Sequence, residues 1–185
     1  MRVNMKVSVV IATSLDGFIA KRDGSIDWLN EANAVVPEGE DCGFIAFMDS
    51  VDTLIMGRKT YEHVLSFGQW PYGDTPVVVL SHNSIEIPSH LPDTVSHSAE
   101  SPSALLKRLT ANDVKHVYVD GGSTIQSFLA ESLIDEITIT RIPVVIGDGI
   151  PLFAPMAKDI ELTHLSTTAY EFGFVQSKYS VNKKA

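Results

Sequence analysis

The chain has 185 residues, a formal net charge of −9 and 44% hydrophobic residues, which makes one domain, 1–185, able to remove roughly 70% of its unfolded surface from water without a metal or disulfide staple. The acidic balance excludes a nucleic-acid binder, which needs Lys and Arg to neutralise phosphates, and the apolar content excludes a disordered tail. The single Cys42 has no partner for an internal bridge and points to reducing, cytoplasmic surroundings.

In chain order, Lys6–Thr13 reads as the first strand, and its apolar run is far shorter than the roughly 20 residues of a membrane span. A helix over Gly43–Ser50 precedes a strand at Thr53–Gly57, a helix at Lys59–Leu65 and a strand at Pro76–Ser81. Ser101-Pro102-Ser103 caps a helix that runs to Thr110 and ends at Asn112-Asp113. A strand at Lys115–Val119, a helix at Thr124–Ala130 and a strand at Glu136–Ile142 follow. Thr163–Ala169 and Phe172–Ser180 then form a hairpin around Glu171 and Gly173, and Asn182–Ala185 is a polar end expected to fray. The alternation predicts an α/β fold. The continuous apolar runs Val7–Ile11 and Val77–Leu80 predict strands covered on both faces of a mainly parallel sheet.

Two strand-to-helix elbows carry the chemistry. At Met56-Gly57-Arg58-Lys59-Thr60 an apolar strand meets a glycine, two cations and a hydroxyl at a helix start, a place suited to an anion. At Val119-Asp120-Gly121-Gly122-Ser123-Thr124 a second glycine turn opens a helix, where backbone can approach another phosphate. Two phosphate sites imply a dinucleotide. The six histidines show no metal-ligand spacing and have no cysteine cluster to join them, so no metal is expected. Serine-hydrolase, Walker-type and full Gly-x-Gly-x-x-Gly signatures are absent from the sequence.

Ser14-Leu15-Asp16-Gly17-Phe18-Ile19-Ala20, Ile26-Asp27-Trp28, Met56-Gly57-Arg58-Lys59-Thr60-Tyr61-Glu62, Asp120-Gly121-Gly122-Ser123-Thr124 and Leu133-Ile134-Asp135-Glu136 together resemble the dihydrofolate reductase superfamily. The riboflavin-biosynthesis reductase domain is the nearer branch by the Ser-Leu-Asp-Gly opening, the Asp-Gly-Gly-Ser-Thr turn and Gly147-Asp148-Gly149, whereas Met-Gly-Arg-Lys-Thr is similar to true dihydrofolate reductases. The resemblance implies a three-layer α/β/α fold, with a twisted, mainly parallel sheet and antiparallel C-terminal strands. It also implies NADPH across the carboxyl ends of the strands.

Carried over, Gly57, Arg58, Lys59 and Thr60 match the segment that meets the 2′-phosphate and pyrophosphate, and Leu80, Ser81 and His82 the adenine side. Gly121, Gly122, Ser123, Thr124 and Ile125 match the loop under the pyrophosphate, and Ala12, Ile19 and Ala20 the nicotinamide lining. Counting back from Met56 without a gap places the substrate carboxylate of dihydrofolate reductases on Asp41, which also reads as a helix cap. Asp16 is the rival carboxylate or a turn residue, and Trp28 an aromatic at the substrate mouth or a core tryptophan. Tyr61 and Glu62 read as helix packing and first-turn charge, and Gly147-Asp148-Gly149 as a turn or a nicotinamide neighbour.

The expected function is an NADPH-dependent reductase acting on a pterin-like or riboflavin-precursor substrate of the ribosylamino-uracil type. A non-catalytic NADPH-binding sensor and a dihydrofolate reductase proper are the alternatives. A homodimer is implied, with Ile137–Val145 and the C-terminal strands as its surface.

Overall fold

A computed structural model describes residues 5–183. In chain order the elements are β1 (Lys6–Ser14), β2 (Phe18–Ala20), α1 (Asp27–Ala32), α2 (Phe44–Asp49), β3 (Thr53–Gly57), α3 (Arg58–Leu65), β4 (Val77–Leu80), β5 (Val95–Ser98), α4 (Pro102–Ala111), β6 (His116–Asp120), α5 (Gly122–Ala130), β7 (Glu136–Ile142), β8 (Ile150–Pro151), β9 (Leu162–Ala169) and β10 (Val175–Val181). Every strand and helix that the sequence predicts is present, within three residues at each end. The unpredicted elements are α1, β2, β5 and β8: the three strands have four residues or fewer, too short for an alternation pattern to register.

Contacts divide the chain into two compact units. The first holds the described residues up to Ser8 with Ser50–Ile134, and the second holds Val9–Asp49 with the described residues from Asp135 onward.

In the first unit the strand order is β5-β4-β3-β6-β1, and every pairing is parallel. Leu54, Ile55, Met56, Val77, Val79, Val117 and Val119 are fully buried, as the sequence's apolar runs require. The chain steps from β3 to β4 in one direction along the sheet and from β5 to β6 in the other. Right-handed crossovers therefore put α3 on one face, and α4, with α5 packed on it, on the opposite face. Leu105, Ile125 and Phe128 of α4 and α5 are fully buried. His116 braces the amino end of the sheet: its ring meets the Ser8 hydroxyl at 2.8 Å and the Ser50 carbonyl at 2.8 Å.

In the second unit β10 pairs antiparallel with β7 on one side and with β9 on the other, with an irregularity at Lys178/Tyr179. The turn joining β9 to β10 is closed by Tyr170 N–H to Phe174 O at 2.8 Å. Trp28, Ile142 and Phe174 form the core, with Ala12, Leu29, Cys42, Tyr170 and Phe172 packed against them. Ile137 and Ile142 are also buried within this unit, so the Ile137–Val145 run is not the exposed apolar surface that the sequence suggests, Val145 excepted. The chain end is better held than expected at Asn182, whose N–H bonds Glu161 O at 2.9 Å, and at Lys183, paired with Asp135 at 2.6 Å. Lys184 and Ala185 lie outside the described residues. Among the described residues no helix is long and apolar enough to cross a membrane.

Candidate active site

The two glycine elbows converge in the first unit. Gly57 ends β3 and serves as N-cap of α3, and Gly121 follows β6 and serves as N-cap of α5. A β-carbon at Gly57 would stand 2.6 Å from Thr124 Oγ1, and one at Gly121 would stand 2.5 Å from Thr60 Oγ1. Each glycine thus makes room for the threonine of the other elbow, and this reciprocal fit brings the two helix starts side by side. Gly121 also has φ +95 and ψ 137, a backbone that side-chain-bearing residues avoid. Neither cap residue gives the helix a side-chain acceptor, so first-turn N–H groups and the positive helix ends face the same locality.

Arg58 and Lys59 are exposed at the start of α3, and Arg58 Nε lies 3.4 Å from Glu62 one turn on. Tyr61 is buried, with its hydroxyl donating to Glu86 O at 2.9 Å, the packing role the sequence suggests. Leu80 is the register partner of Gly57, which places the end of β4 beside the first elbow. Ser81 N–H bonds Ser98 O at 3.0 Å, and His82 is exposed. Gly122, Ser123 and Thr124 form the first turn of α5, whereas Ile125 is fully buried with its N–H on Gly121 O at 2.8 Å. Ile125 supports the turn from beneath.

Asp120 closes the second elbow and is a group the sequence reading passed over. Its Oδ1 accepts the Gly121 N–H at 2.8 Å. Burial pushes its carboxyl up to about 6, against the lowering effect of that bond. The same carboxylate raises the neighbouring Tyr72 and Tyr118 hydroxyls, which burial has already raised further.

The other candidates belong to the second unit. Asp41 caps α2: its carboxylate accepts Ile45 N–H at 2.7 Å and Gly43 N–H at 2.9 Å. These bonds, Ile45 first, hold it below the usual carboxylate range. Asp41 is therefore an ionised acceptor in the free protein, the capping role foreseen as one of its two readings. Asp16 is held low in the same way, by the Ser14 hydroxyl first and then by the N–H groups of Gly147 and Ile146. The Ser14 bond is 2.6 Å and the Gly147 bond 2.8 Å. Asp16 thus ties its turn to the Gly147 loop 131 positions away, more than the local turn bond the sequence suggests. In that loop Asp148 forms an ion pair with Arg22.

Trp28 is a core tryptophan, yet its indole N–H is buried without a hydrogen-bond partner. Ala12 packs in its cluster with Cys42, the residue after Asp41, and Ile146, the residue Asp16 holds. Ile19 is half-buried and Ala20 buried in β2, which pairs with β8. The structure thus gathers Asp41, Asp16, Trp28 and Ala12 around one cluster.

A cavity of about 190 Å³ opens in this unit. Cys42, Gly43 and Phe47 form its wall, while Val10, Thr138, Gln176, Lys178, Ser166 and Thr168 form its floor. Val10 is half-exposed, although its strand reads as continuously apolar. The polar floor was missed in the sequence; its one trace is period-two polarity, Thr138 and Thr140 inside an otherwise apolar strand. Among the described residues no group of three or more His, Cys, Asp or Glu side chains is placed to hold a metal ion.

The comparisons agree with this architecture. The chain is 41% identical over 160 residues to the uncharacterised protein YwjB of Bacillus subtilis (strain 168), covering 85% of this chain and 87% of the relative. A solved structure from Shewanella sp. PV-4, provisionally named for riboflavin biosynthesis, superposes with TM-score 0.90 at 39% identity over 97% of this chain and all of that one. The dihydrofolate reductase of Enterococcus faecalis, solved with NADP(H), shares the fold alone: TM-score 0.58 at 16% identity, covering 97% of this chain and 98% of that one. The α/β fold is thus dihydrofolate reductase-like, mainly parallel with antiparallel C-terminal strands. Residues 5–175 match the model of the RibD C-terminal domain, and the chain belongs to that family.

Proposed function

We propose that the chain is an NADPH-dependent reductase that delivers hydride to a pterin-like or riboflavin-precursor substrate. The observation that carries this reading is the reciprocal Gly57–Thr124 and Gly121–Thr60 fit, which sets two uncapped helix starts next to each other with Arg58 and Lys59 at one of them. The family is NAD(P)H-dependent in general. NADPH, when bound, supplies the hydride.

In this reading Arg58 and Lys59 pair the 2′-phosphate, with Glu62 giving up Arg58 as they do. First-turn N–H groups of Gly122 and Ser123 hold the pyrophosphate. Asp41 accepts hydrogen bonds from the amino edge of a pyrimidine or pterin ring and so orients it. Being ionised, Asp41 is not the proton source in the free protein, and the proton that accompanies hydride comes from solvent. That same commitment of Asp41 to capping favours a second reading, an NADPH-binding domain without turnover.

Calorimetric titration with NADPH and NADH, followed by nicotinamide absorbance after adding dihydrofolate or a ribosylamino-pyrimidine, separates these. NADPH binding with loss of absorbance supports the reductase; binding without oxidation by either substrate class supports the sensor; no binding refutes both. A homodimer belongs to the same proposal, with β9 as the contact strand because all eight of its residues are exposed. Light scattering at the mass of one chain would contradict it.

A further inference from the structure

We propose that the cavity under α2 receives an uncharged, hydroxyl-bearing tail attached to a small ring, and discriminates against the phosphorylated form of the same ligand. This rests on the reductase reading above and narrows its substrate. Strand register builds the floor: Thr140, Gln176 and Thr168 stand in one cross-strand row, and Thr138, Lys178 and Ser166 in the next. Directly paired residues share a face of a sheet, so the two rows make a continuous pleat of hydroxyls, one amide and one ammonium.

Hydroxyls both donate and accept, which suits the alternating demands of a sugar or polyol. Gln176 adds a fixed acceptor. Its two Nε2 protons go to Cys42 O at 3.1 Å and Thr140 Oγ1 at 3.0 Å, which leaves Oε1 as the acceptor end of the amide.

The charge of the floor is already balanced. Lys178 is the one cation among the lining residues, and its Nζ lies 3.0 Å from Glu136. Glu136 is two positions from Thr138 on β7 and therefore on the same pleat face. A phosphate brings close to two negative charges to a place holding one balanced ion pair, so Glu136 repels it as much as Lys178 attracts it. The wall supplies the complementary apolar surface: α2 reads Phe-Ile-Ala-Phe-Met-Asp yet has no buried residue, with Ile45 66% exposed and Phe47 lining the cavity. An amphipathic ligand, ring against Phe47 and tail over the hydroxyls, satisfies both sides.

The test uses uridine and uridine 5′-monophosphate, a pyrimidine with a ribosyl tail that differs only by the phosphate, titrated into the full chain by protein-observed NMR. Uridine is expected to bind at least about tenfold more tightly than the monophosphate, a difference of one charge-assisted interaction. Thr168→Val and Ser166→Ala, both on the exposed strand β9, should weaken uridine while leaving the circular dichroism melt unchanged. Glu136→Gln should narrow or reverse the preference by releasing Lys178. Equal or tighter monophosphate binding overturns the proposal, as does uridine binding that ignores the β9 variants or no uridine binding to the folded chain. NADPH titrated into the same sample keeps the two readings apart. Uridine binding without NADPH binding discards the reductase and leaves the pocket, whereas NADPH binding without uridine binding discards the pocket alone.

Discussion

Three helices of the first unit begin in contrasting ways. At α4, Ser101 Oγ accepts the Ala104 N–H at 3.3 Å, and Pro102 occupies the first turn, where its missing N–H costs nothing. Glu100, just before the cap, is held by Arg108 Nε at 2.9 Å. At α3 and α5 the cap is glycine and there is no side-chain acceptor. The first arrangement satisfies a helix end within the chain and stabilises the fold. The second leaves donors and positive potential for something outside the chain, a stability cost that only an anionic ligand offsets. The same α/β unit therefore separates ends made for folding from ends made for binding, and each of the following substitutions bears on that distinction.

The largest effect is expected at Gly121→Ala. The new methyl meets Thr60 Oγ1, and the residue must hold φ +95; the two together should destabilise the fold by about 2–4 kcal/mol and abolish measurable NADPH binding. Gly57→Ala differs instructively, because its φ of −78 is ordinary and only Thr124 stands in the way. Adding Thr124→Ala should restore thermal stability to Gly57→Ala, while adding Thr60→Ala should not restore Gly121→Ala. Equal rescue in denaturant melts would show that backbone conformation at Gly121 is not the constraint.

Asp120 lies directly before the open end of α5. Its folded pKa of about 6 exceeds the ordinary 3.8, so the native state binds more protons than the unfolded state between these values. Stability from this group is thus full below pH 4 and falls as pH rises to about 6, by about 3 kcal/mol, and is flat above. Asp120→Asn should remove that slope and gain most relative to the parent chain at neutral pH. Chemical denaturation at pH 4 and pH 7.5 measures it, and a parent chain that gains stability over this interval at residue 120 would contradict the burial argument.

Arg58→Ala comes next. Loss of a charge-assisted bond to the 2′-phosphate should weaken NADPH by about 1.5–3 kcal/mol and NADH hardly at all, as calorimetry would show. Equal loss for both cofactors would move the role of Arg58 to the pyrophosphate or to its pair with Glu62.

The first unit was the more legible in sequence because its signals are local. An uninterrupted apolar run followed by glycine gave β3 to the residue, and Ser-Pro-Ser gave the start of α4 to within a residue. The elbows were visible as motifs, but their interlock was not, since Gly57 and Thr124 are far apart in sequence and meet only once β3 and β6 pair. In the second unit Asp41 was found by spacing, yet its ionised state depends on the N–H groups of Gly43 and Ile45, which spacing does not show. The polar floor was invisible because Thr138, Ser166 and Lys178 become neighbours only through the register of three antiparallel strands, and a one-residue slip would turn them all to the other face.

The smallest effect is the control for the contrast among helix ends. Ser101→Ala removes the side-chain acceptor of α4 and leaves the Ala104 N–H to solvent, which should cost about 1 kcal/mol of stability, seen as a lower melting temperature. Because α4 starts with a closed end, the substitution touches no donor offered to a ligand, so NADPH affinity should be unchanged within error. A Ser101→Ala variant that binds NADPH several-fold more weakly would mean that the α4 terminus also faces the cofactor, and the division into folding ends and binding ends would then fail.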